Sequence, residues 1–237
     1  MNTSRWEDAQ EYEKNWWARH SEAMDPGFYK YYADELLDAL KGLMTISDQT
    51  RILEIGSGAA GILTCLKNTH RFAIDPLEDY YSTVEKFVQF RDPSVRYFKA
   101  KGEKIPFDDL SFDLIIMDNV LDHCERPHQV MVEICRVLKQ GGMVFFRQNT
   151  YHLWGTFIRN ALEGFQIDKG HPHTFTKHHL ENEMKALGLT ILKRKRRGYF
   201  RTWARELTSG KLIDLVKAFL FATRDKTLYV VKKTVPT

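Results

Sequence analysis

The sequence predicts a doubly wound α/β fold, and three observations carry that reading. Short apolar runs alternate with segments of helical periodicity between residues 51 and 147. The first run ends in a glycine-rich turn, Ile55-Gly56-Ser57-Gly58-Ala59-Ala60-Gly61. The second run, Phe72-Ala73-Ile74, is closed by an acid, Asp75. Repeated strand–helix–strand units build right-handed crossovers and a parallel sheet. With two further strands near the carboxyl end, the expectation is a Rossmann-like doubly wound seven-stranded sheet, mostly parallel, with helical cap insertions.

Each element has its own signal. The first 27 residues are polar but carry Trp6, Tyr12, Trp16 and Trp17, and Asp25-Pro26-Gly27 marks a turn. Tyr32, Leu36, Leu40, Leu43 and Met44 recur near helical spacing over 28–44. Residues 51–55 read as a buried strand, followed by a helix to about residue 68. A strand over 71–74, a helix over 77–90 and a strand over 95–99 come next. The run at 112–117 is continuously apolar, as a central parallel strand should be. Pro127 suits a first helical turn. Val130, Ile134, Val137 and Leu138 form that helix's inward stripe, Gly141-Gly142 end it, and 143–147 make a fifth strand.

Beyond residue 147 the alternation loosens. Residues 148–176 form a long stretch with Trp154, Phe157 and Phe165. Thr176 is an N-cap for a helix through Leu187, stopped by Gly188. Residues 189–196 and 226–233 are two closing strands, with a helical insert at 199–224 between them. The organisation is therefore an amino-terminal helical or lid segment at 1–45 and a single domain at 46–237, with inserts near 148–176 and 199–225. Inserts beside strand ends are where substrate pockets and lids form.

Composition sets the outer bounds. With 43% hydrophobic residues in 237, one α/β domain can bury its own core. The net charge of +4 is small against 35 basic and 31 acidic residues, so it gives no mandate for a nucleic-acid partner. Cys65, Cys124 and Cys135 are scattered and odd in number, which reads as free thiols in a reducing cytoplasm. Residues 1–25 hold no signal-peptide core, and no apolar run is long enough to span a bilayer, so no membrane partner is expected.

The glycine turn points to a nucleoside cofactor. Gly56 and Gly58 permit a tight turn and a close backbone approach. Asp75, twenty-one residues after Glu54, can accept both hydroxyls of a ribose. Gly56, Gly58 and Gly61 also satisfy G-x-G-x-x-G, which leaves a nicotinamide cofactor open at this point.

The remaining motifs resemble one family in order. Glu54-Ile55-Gly56-Ser57-Gly58 resembles the Glu-x-Gly-x-Gly loop of the class I S-adenosylmethionine-dependent methyltransferases. Glu103-Lys104-Ile105-Pro106-Phe107 and Ser111-Phe112-Asp113-Leu114-Ile115-Ile116 resemble that family's approach to its fourth strand and the strand itself. Val120-Leu121-Asp122-His123 resembles its post-strand stretch. Glu133-Ile134-Cys135-Arg136-Val137-Leu138-Lys139-Gln140-Gly141-Gly142 resembles its Glu-x-x-Arg-Val-Leu-Lys-Pro-Gly-Gly run. The likeness covers 51–147, extends to His173-Thr174-Phe175-Thr176, and is to the small type 11 methyltransferases. It implies S-adenosyl-L-methionine as cofactor, faced by Glu54, Gly56, Ser57, Gly58, Asp75, Pro76, Gly102, Glu103, Asp118 and Asn119. Glu54 would anchor the methionine end, and Asp113 would orient its strand.

Two departures stand out. Ala60 replaces the loop's third glycine. Lys101 stands where the family often has an acid for the adenine amino group, and lysine cannot accept that bond. Backbone around Gly102 would then hold adenine alone.

Methyl transfer needs alignment and, when the acceptor must lose a proton, a base. His123 is the candidate base, because histidine titrates near neutrality, and Asp118 is a second candidate, for orienting a hydroxyl or an amine. The alternatives are a histidine that caps a loop and a plain loop carboxylate. His152, His171, His173, His178 and His179 form a histidine-rich tail without metal-ligand spacing, so no metal site is expected, and His171 or His173 is expected at the pocket rim instead. The basic run at 193–197 lies on a strand, whose alternation splits it between two faces, and an edge strand guarded by charge accounts for it. The amino-terminal aromatics are either a lid whose faces attract a sulfonium or a packing stripe. The function expected is methyl transfer to oxygen or nitrogen of a small-molecule acceptor, a sugar or secondary metabolite among the options. Against it stand an RNA or protein methyltransferase, a non-catalytic binding module and, more distantly, a dehydrogenase. Oligomeric state is not readable.

Overall fold

A computed structural model describes residues 4–163, 170–196 and 198–234. Its strands are β1 (Ile52–Ile55), β2 (Arg71–Asp75), β3 (Arg96–Lys99), β4 (Phe112–Asp118), β5 (Leu138–Thr150), β6 (Leu189–Arg196) and β7 (Asp225–Lys233). They form one sheet in the order β3-β2-β1-β4-β5-β7-β6. The first five are parallel, and β7 runs antiparallel to both β5 and β6. The helices are α1 (Arg5–His20), α2 (Pro26–Leu40), α3 (Glu78–Tyr81), α4 (Glu85–Gln89), α5 (Pro127–Val137), α6 (Leu153–Glu163), α7 (Lys177–Ala186), α8 (Tyr199–Leu207) and α9 (Leu212–Phe219).

Alternation along the buried strands splits the core in two. Leu53, Ile55, Ile115 and Met117 face one side, where Val130, Ile134 and Val137 of α5 cover them. Ile52, Leu114 and Ile116 face the other, against Leu36 and Leu40 of α2. Coverage on both faces is why β1 and β4 are apolar at nearly every position. The chain leaves β1 toward β2 and returns on the other side at β4. That reversal opens a crevice at the carboxyl ends of β1 and β4, where ligands of such sheets sit.

Local chemistry fixes the helix ends. Ser4 and Glu7 form a capping box at α1. Asp25 caps α2, with Pro26 in its first turn. Thr176 caps α7 by accepting from His179 N. Gly188 (φ +73°) follows α7 in the left-handed region.

Four expectations are corrected. The helix expected to about residue 68 is a 3-10 turn, Ile62–Cys65. Gly58 (φ +58°) and Gly61 (φ +79°) break helical geometry, and the Glu54 side chain takes the N–H groups of Ile62 and Leu63. The helix over 77–90 is two short pieces, α3 and α4, separated at residues 82–84. Gly141-Gly142 do not end α5, which stops at Val137; they lie within β5, with Gly141 at φ +75°. The stretch at 148–176 holds the end of β5 and α6, while Phe165 lies outside the described residues.

Gly56 shows how tightly the crevice is built. Its φ is +70°, and a Cβ there would stand 2.4 Å from Val120 Cγ1, beyond β4. Gly56→Ala should therefore lose about 2–4 kcal/mol of stability, from backbone strain plus overlap. Urea unfolding of Gly56→Ala and of Gly56→Ala/Val120→Ala checks it. The double variant should recover the overlap part only, and an unchanged midpoint for the single variant contradicts the packing described.

Candidate active site

At the crevice lies a cavity of about 470 Å³, a size usual for small-molecule sites. One end is the turn after β1. Asp75 Oδ2 accepts from Gly58 N (2.9 Å) and Oδ1 from Leu77 N (2.9 Å). Glu54 Oε1 accepts from Ile62 N (2.9 Å) and Oε2 from Leu63 N (3.0 Å). Both carboxylates are buried. Burial pushes Glu54 up to about 8, against the pull of its two N–H donors, and nearby Asp118 and Asp75 add to the rise. Burial likewise pushes Asp75 up to about 6. Gly102 packs so closely that a Cβ would meet Val130 Cγ1 at 3.0 Å, which keeps that wall of the cavity backbone-smooth.

The other end is built by the segments after β4 and β5. Arg147 reaches back from β5 and clamps Asp118 with two nitrogens, Nε donating to Oδ1 at 2.5 Å and Nη2 to Oδ2. Its Nη1 donates to Glu35 Oε2 at 2.6 Å, and its guanidinium lies 3.7 Å from the Tyr32 ring centroid. Two carboxylates of a buried triad thus share one cation. Burial still holds the Asp118 carboxyl above its ordinary value, because Arg147 offsets only part of the desolvation. Asn119 takes a left-handed conformation (φ +57°), donates its N–H to Arg147 O and accepts Asn149 N on Oδ1.

His123 follows in a short 3-10 turn, Leu121–His123. Its Nδ1 is 3.9 Å from Glu13 Oε2 and its Nε2 is 3.9 Å from Asp122 Oδ1. The His171 ring stands 4.4 Å from the His123 ring, with its Nε2 3.9 Å from Asp122 Oδ2. Asp122, His123 and His171 therefore converge, each offering one donor atom within 4.8 Å of the others. The other tail histidines go elsewhere. His173 stacks on Phe175, His178 meets Asn182, His179 lies near Glu183, and His152 contacts Phe221 O.

Helix α1 roofs the cavity. Trp17 lies on the glycine turn, so a Cβ at Gly58 would be 3.0 Å from its ring, and the ring packs edge-on against Tyr81 and Phe87. Lys101 Nζ sits 3.4 Å from the Trp6 ring centroid and pairs with Glu125 at 3.1 Å. This lysine joins the roof to the domain, which gives the unusual residue a local structural reason. Ala60 is likewise placed: it is fully buried, and Tyr97 donates its hydroxyl to Ala60 O at 2.6 Å.

Glu54, Gly56, Ser57, Gly58, Asp75, Pro76, Gly102, Glu103, Asp118, Asn119 and His123 all border this one cavity. Glu103 turns its Oε1 to the N–H groups of Glu125 and Arg126 at the start of α5. Asp113 accepts Arg51 N and Lys139 Nζ, outside the cavity. Sequence reasoning missed Glu13, Glu35, Tyr29, Tyr32, Arg147 and Lys226. Only Arg147 had a local signal, a charge at the end of an apolar strand. Three residues of the basic run pair within the fold, while Lys195 is exposed. Lys193 donates to Ala39 O and Lys41 O at the end of α2, Arg194 meets Glu181, Arg196 meets Asp225, and Arg197 lies outside the described residues. Cys65, Cys124 and Cys135 are free thiols. No helix of the described residues is long and apolar enough to cross a membrane.

Comparison with known proteins agrees with this geometry. Residues 53–146 match the family model of a methyltransferase domain. Over 119 residues the chain is 30% identical to the biotin biosynthesis bifunctional protein BioHC of Cellvibrio japonicus, covering 50% of this chain and 23% of that protein. Over 126 residues it is 29% identical to malonyl-[acyl-carrier protein] O-methyltransferase of a Marinomonas species, covering 50% of this chain and 46% of that one. The chain thus spans less than half the length of either relative. Geranyl diphosphate C-methyltransferase of Streptomyces coelicolor was solved with Mg2+, geranyl diphosphate and S-adenosyl-L-homocysteine. It superposes with a TM-score of 0.66 at 15% identity, over 86% of this chain and 79% of that one, a likeness of fold.

Removing the shared cation should be costly. Arg147→Met leaves buried carboxylates uncompensated and should lose about 3–5 kcal/mol. The Asp118 carboxyl would rise further, so the variant's stability should fall as pH rises from 5 to 8, where the folded state holds a proton that the unfolded chain releases. Urea unfolding at both pH values measures this, and a loss that does not grow with pH contradicts the triad's charge assignment.

Proposed function

We propose that this chain, a member of the class I S-adenosylmethionine-dependent methyltransferases, moves the methyl group of S-adenosylmethionine to an oxygen or nitrogen of a small molecule. One observation carries the reading: a single cavity is bordered by the glycine turn and Asp75 and also by Asp118 and His123. The cradle suits the cofactor. Gly56 and Gly58 open the backbone, Asp75 presents a carboxylate at the end of β2, and the cavity's size is right.

When bound, S-adenosylmethionine supplies an electrophilic methyl group on a sulfonium, displaced in line. Asp75 would accept the ribose hydroxyls, and the backbone at Gly102 would border the adenine. Glu54 keeps its oxygens on the turn and acts on the methionine end through that turn's position. Trp17 of α1 and Tyr29 of α2 border the cavity, where aromatic rings would favour a sulfonium, so α1 would serve as a lid as well as a packed stripe. Asp118 is held by Arg147, which makes it a positioning group at the acceptor end. His123 takes the acceptor's proton on its ring, and Glu13 and Asp122 flank the imidazolium that forms.

A sugar or secondary metabolite fits a cavity walled by aromatic rings, with Arg147 and Lys226 at its rim. The three free thiols suit a reducing cytoplasm.

Calorimetry should show binding of S-adenosylhomocysteine and none of NAD. Ribose hydroxyls donate to the ionised Asp75, so affinity should fall about tenfold for each pH unit below about 6, and Asp75→Asn should remove that dependence. Binding of NAD, or a flat profile in the parent protein, sinks the assignment.

Turnover tests the base. With sugar, phenol and amine acceptors screened by S-adenosylhomocysteine release, His123→Ala should slow the accepted substrate about 10²-fold and leave S-adenosylhomocysteine affinity unchanged. Unchanged turnover means that His123 is not the base.

A further inference from the structure

Among the described residues, the most exposed large apolar side chains are gathered on one part of the fold. Leu153 (81% exposed), Phe200 (79%), Leu212 (78%), Phe219 (74%) and Phe157 (61%) all stand on α6, α8 and α9. Leu212, Val216 and Phe219 follow i, i+4, i+7 spacing, so α9 turns a full apolar stripe to solvent. Its opposite face is the packed one, with Ala218 buried.

A few contacts join these helices into one cap. Trp203 donates to Ala218 O at 3.0 Å and stacks on Phe221, and Trp154 donates to Leu220 O at 3.0 Å. The segment that carries α8 and α9 is mostly basic. Residues 199–224 hold Arg201, Arg205, Lys211, Lys217 and Arg224 against only Glu206 and Asp214. Glu206 is buried on Thr223, and Asp214 lies 3.5 Å from Lys217.

Monomeric surfaces rarely expose an apolar patch this concentrated without a partner. An apolar face of Leu, Phe and Trp flanked by Arg and Lys is the signature of a helix lying in a lipid interface. We propose that the α6–α8–α9 face docks this protein on an anionic bilayer surface. The apolar stripe enters the headgroup boundary, and the cationic flank meets acidic lipid heads. Both contributions are needed, since charge attraction or shallow insertion alone holds a protein only weakly. The cap springs from β5 and β7, at the sheet end where Arg147 and Lys226 line the cavity. Docking therefore brings the cavity close to the interface. The inference is independent of the methyl acceptor.

The test is flotation of the full chain with extruded vesicles of phosphatidylcholine alone or mixed with phosphatidylglycerol, combined with light scattering of the protein in solution. The expected result is co-flotation with the acidic vesicles, at least tenfold above neutral ones and reduced by high salt. Leu212→Ser/Phe219→Ser and, separately, Arg201→Glu/Arg205→Glu should each cut it at least tenfold. Circular dichroism and S-adenosylhomocysteine affinity should match the parent in both variants, which excludes misfolding as the cause. No flotation, equal flotation with neutral vesicles, or flotation indifferent to both substitutions overturns the proposal. A dimer in solution that Leu212→Ser/Phe219→Ser dissociates, without vesicle binding, overturns it too and gives the face to a second copy.

Discussion

Four backbone N–H groups, those of Gly58, Ile62, Leu63 and Leu77, are held by two buried carboxylates, Asp75 and Glu54. Burying a carboxylate is costly unless it is well hydrogen-bonded. Here each oxygen of both groups takes one backbone donor. The turn after β1 is thereby fixed without any ligand, with its glycines in left-handed conformations. The neighbouring parts then key on it. Trp17 of the roof packs on Gly58, and Val120 beyond β4 packs on Gly56. A preformed cradle spares the ordering of the loop when a nucleoside arrives.

The same economy of charge shapes the far end of the cavity. Arg147 serves Asp118 and Glu35 together and stacks on Tyr32, so a residue of β5 ties α2 to the end of β4. A carboxylate held in this way is a good fixed reference point. His123 has no such clamp; its ring nitrogens face Glu13 and Asp122 at 3.9 Å. That contrast separates the two candidate residues that follow β4.

What was legible in the sequence is what local chemistry determines. β1, β4, α5 and the edge strand β6 are announced by apolar runs, by a helical stripe and by alternation, and Asp75 by its position at a strand end. What was not legible depends on distant partners. The 3-10 turn at Ile62–Cys65 stands in place of a helix because Gly58 and Gly61 take positive φ, and its first N–H groups go to Glu54, eight residues before Ile62. The Glu35–Arg147 contact joins residues 112 apart. Lys101 reads as a lost adenine contact until Trp6 is seen beneath it. His171 is expected near the pocket, but its ring meeting that of His123 at 4.4 Å is a tertiary placement that no spacing rule conveys.

The central claim is that the cradle of Gly56, Gly58 and Asp75 receives the nucleoside of S-adenosylmethionine, with the sulfur directed toward Asp118 and His123. A crystal structure of the chain with S-adenosylhomocysteine tests this most directly. The account predicts both ribose hydroxyls on Asp75, adenine beside Gly102, and sulfur at the end of the cavity that His123 borders. A nucleoside bound elsewhere, or in the cradle with its sulfur turned away from His123, would contradict it.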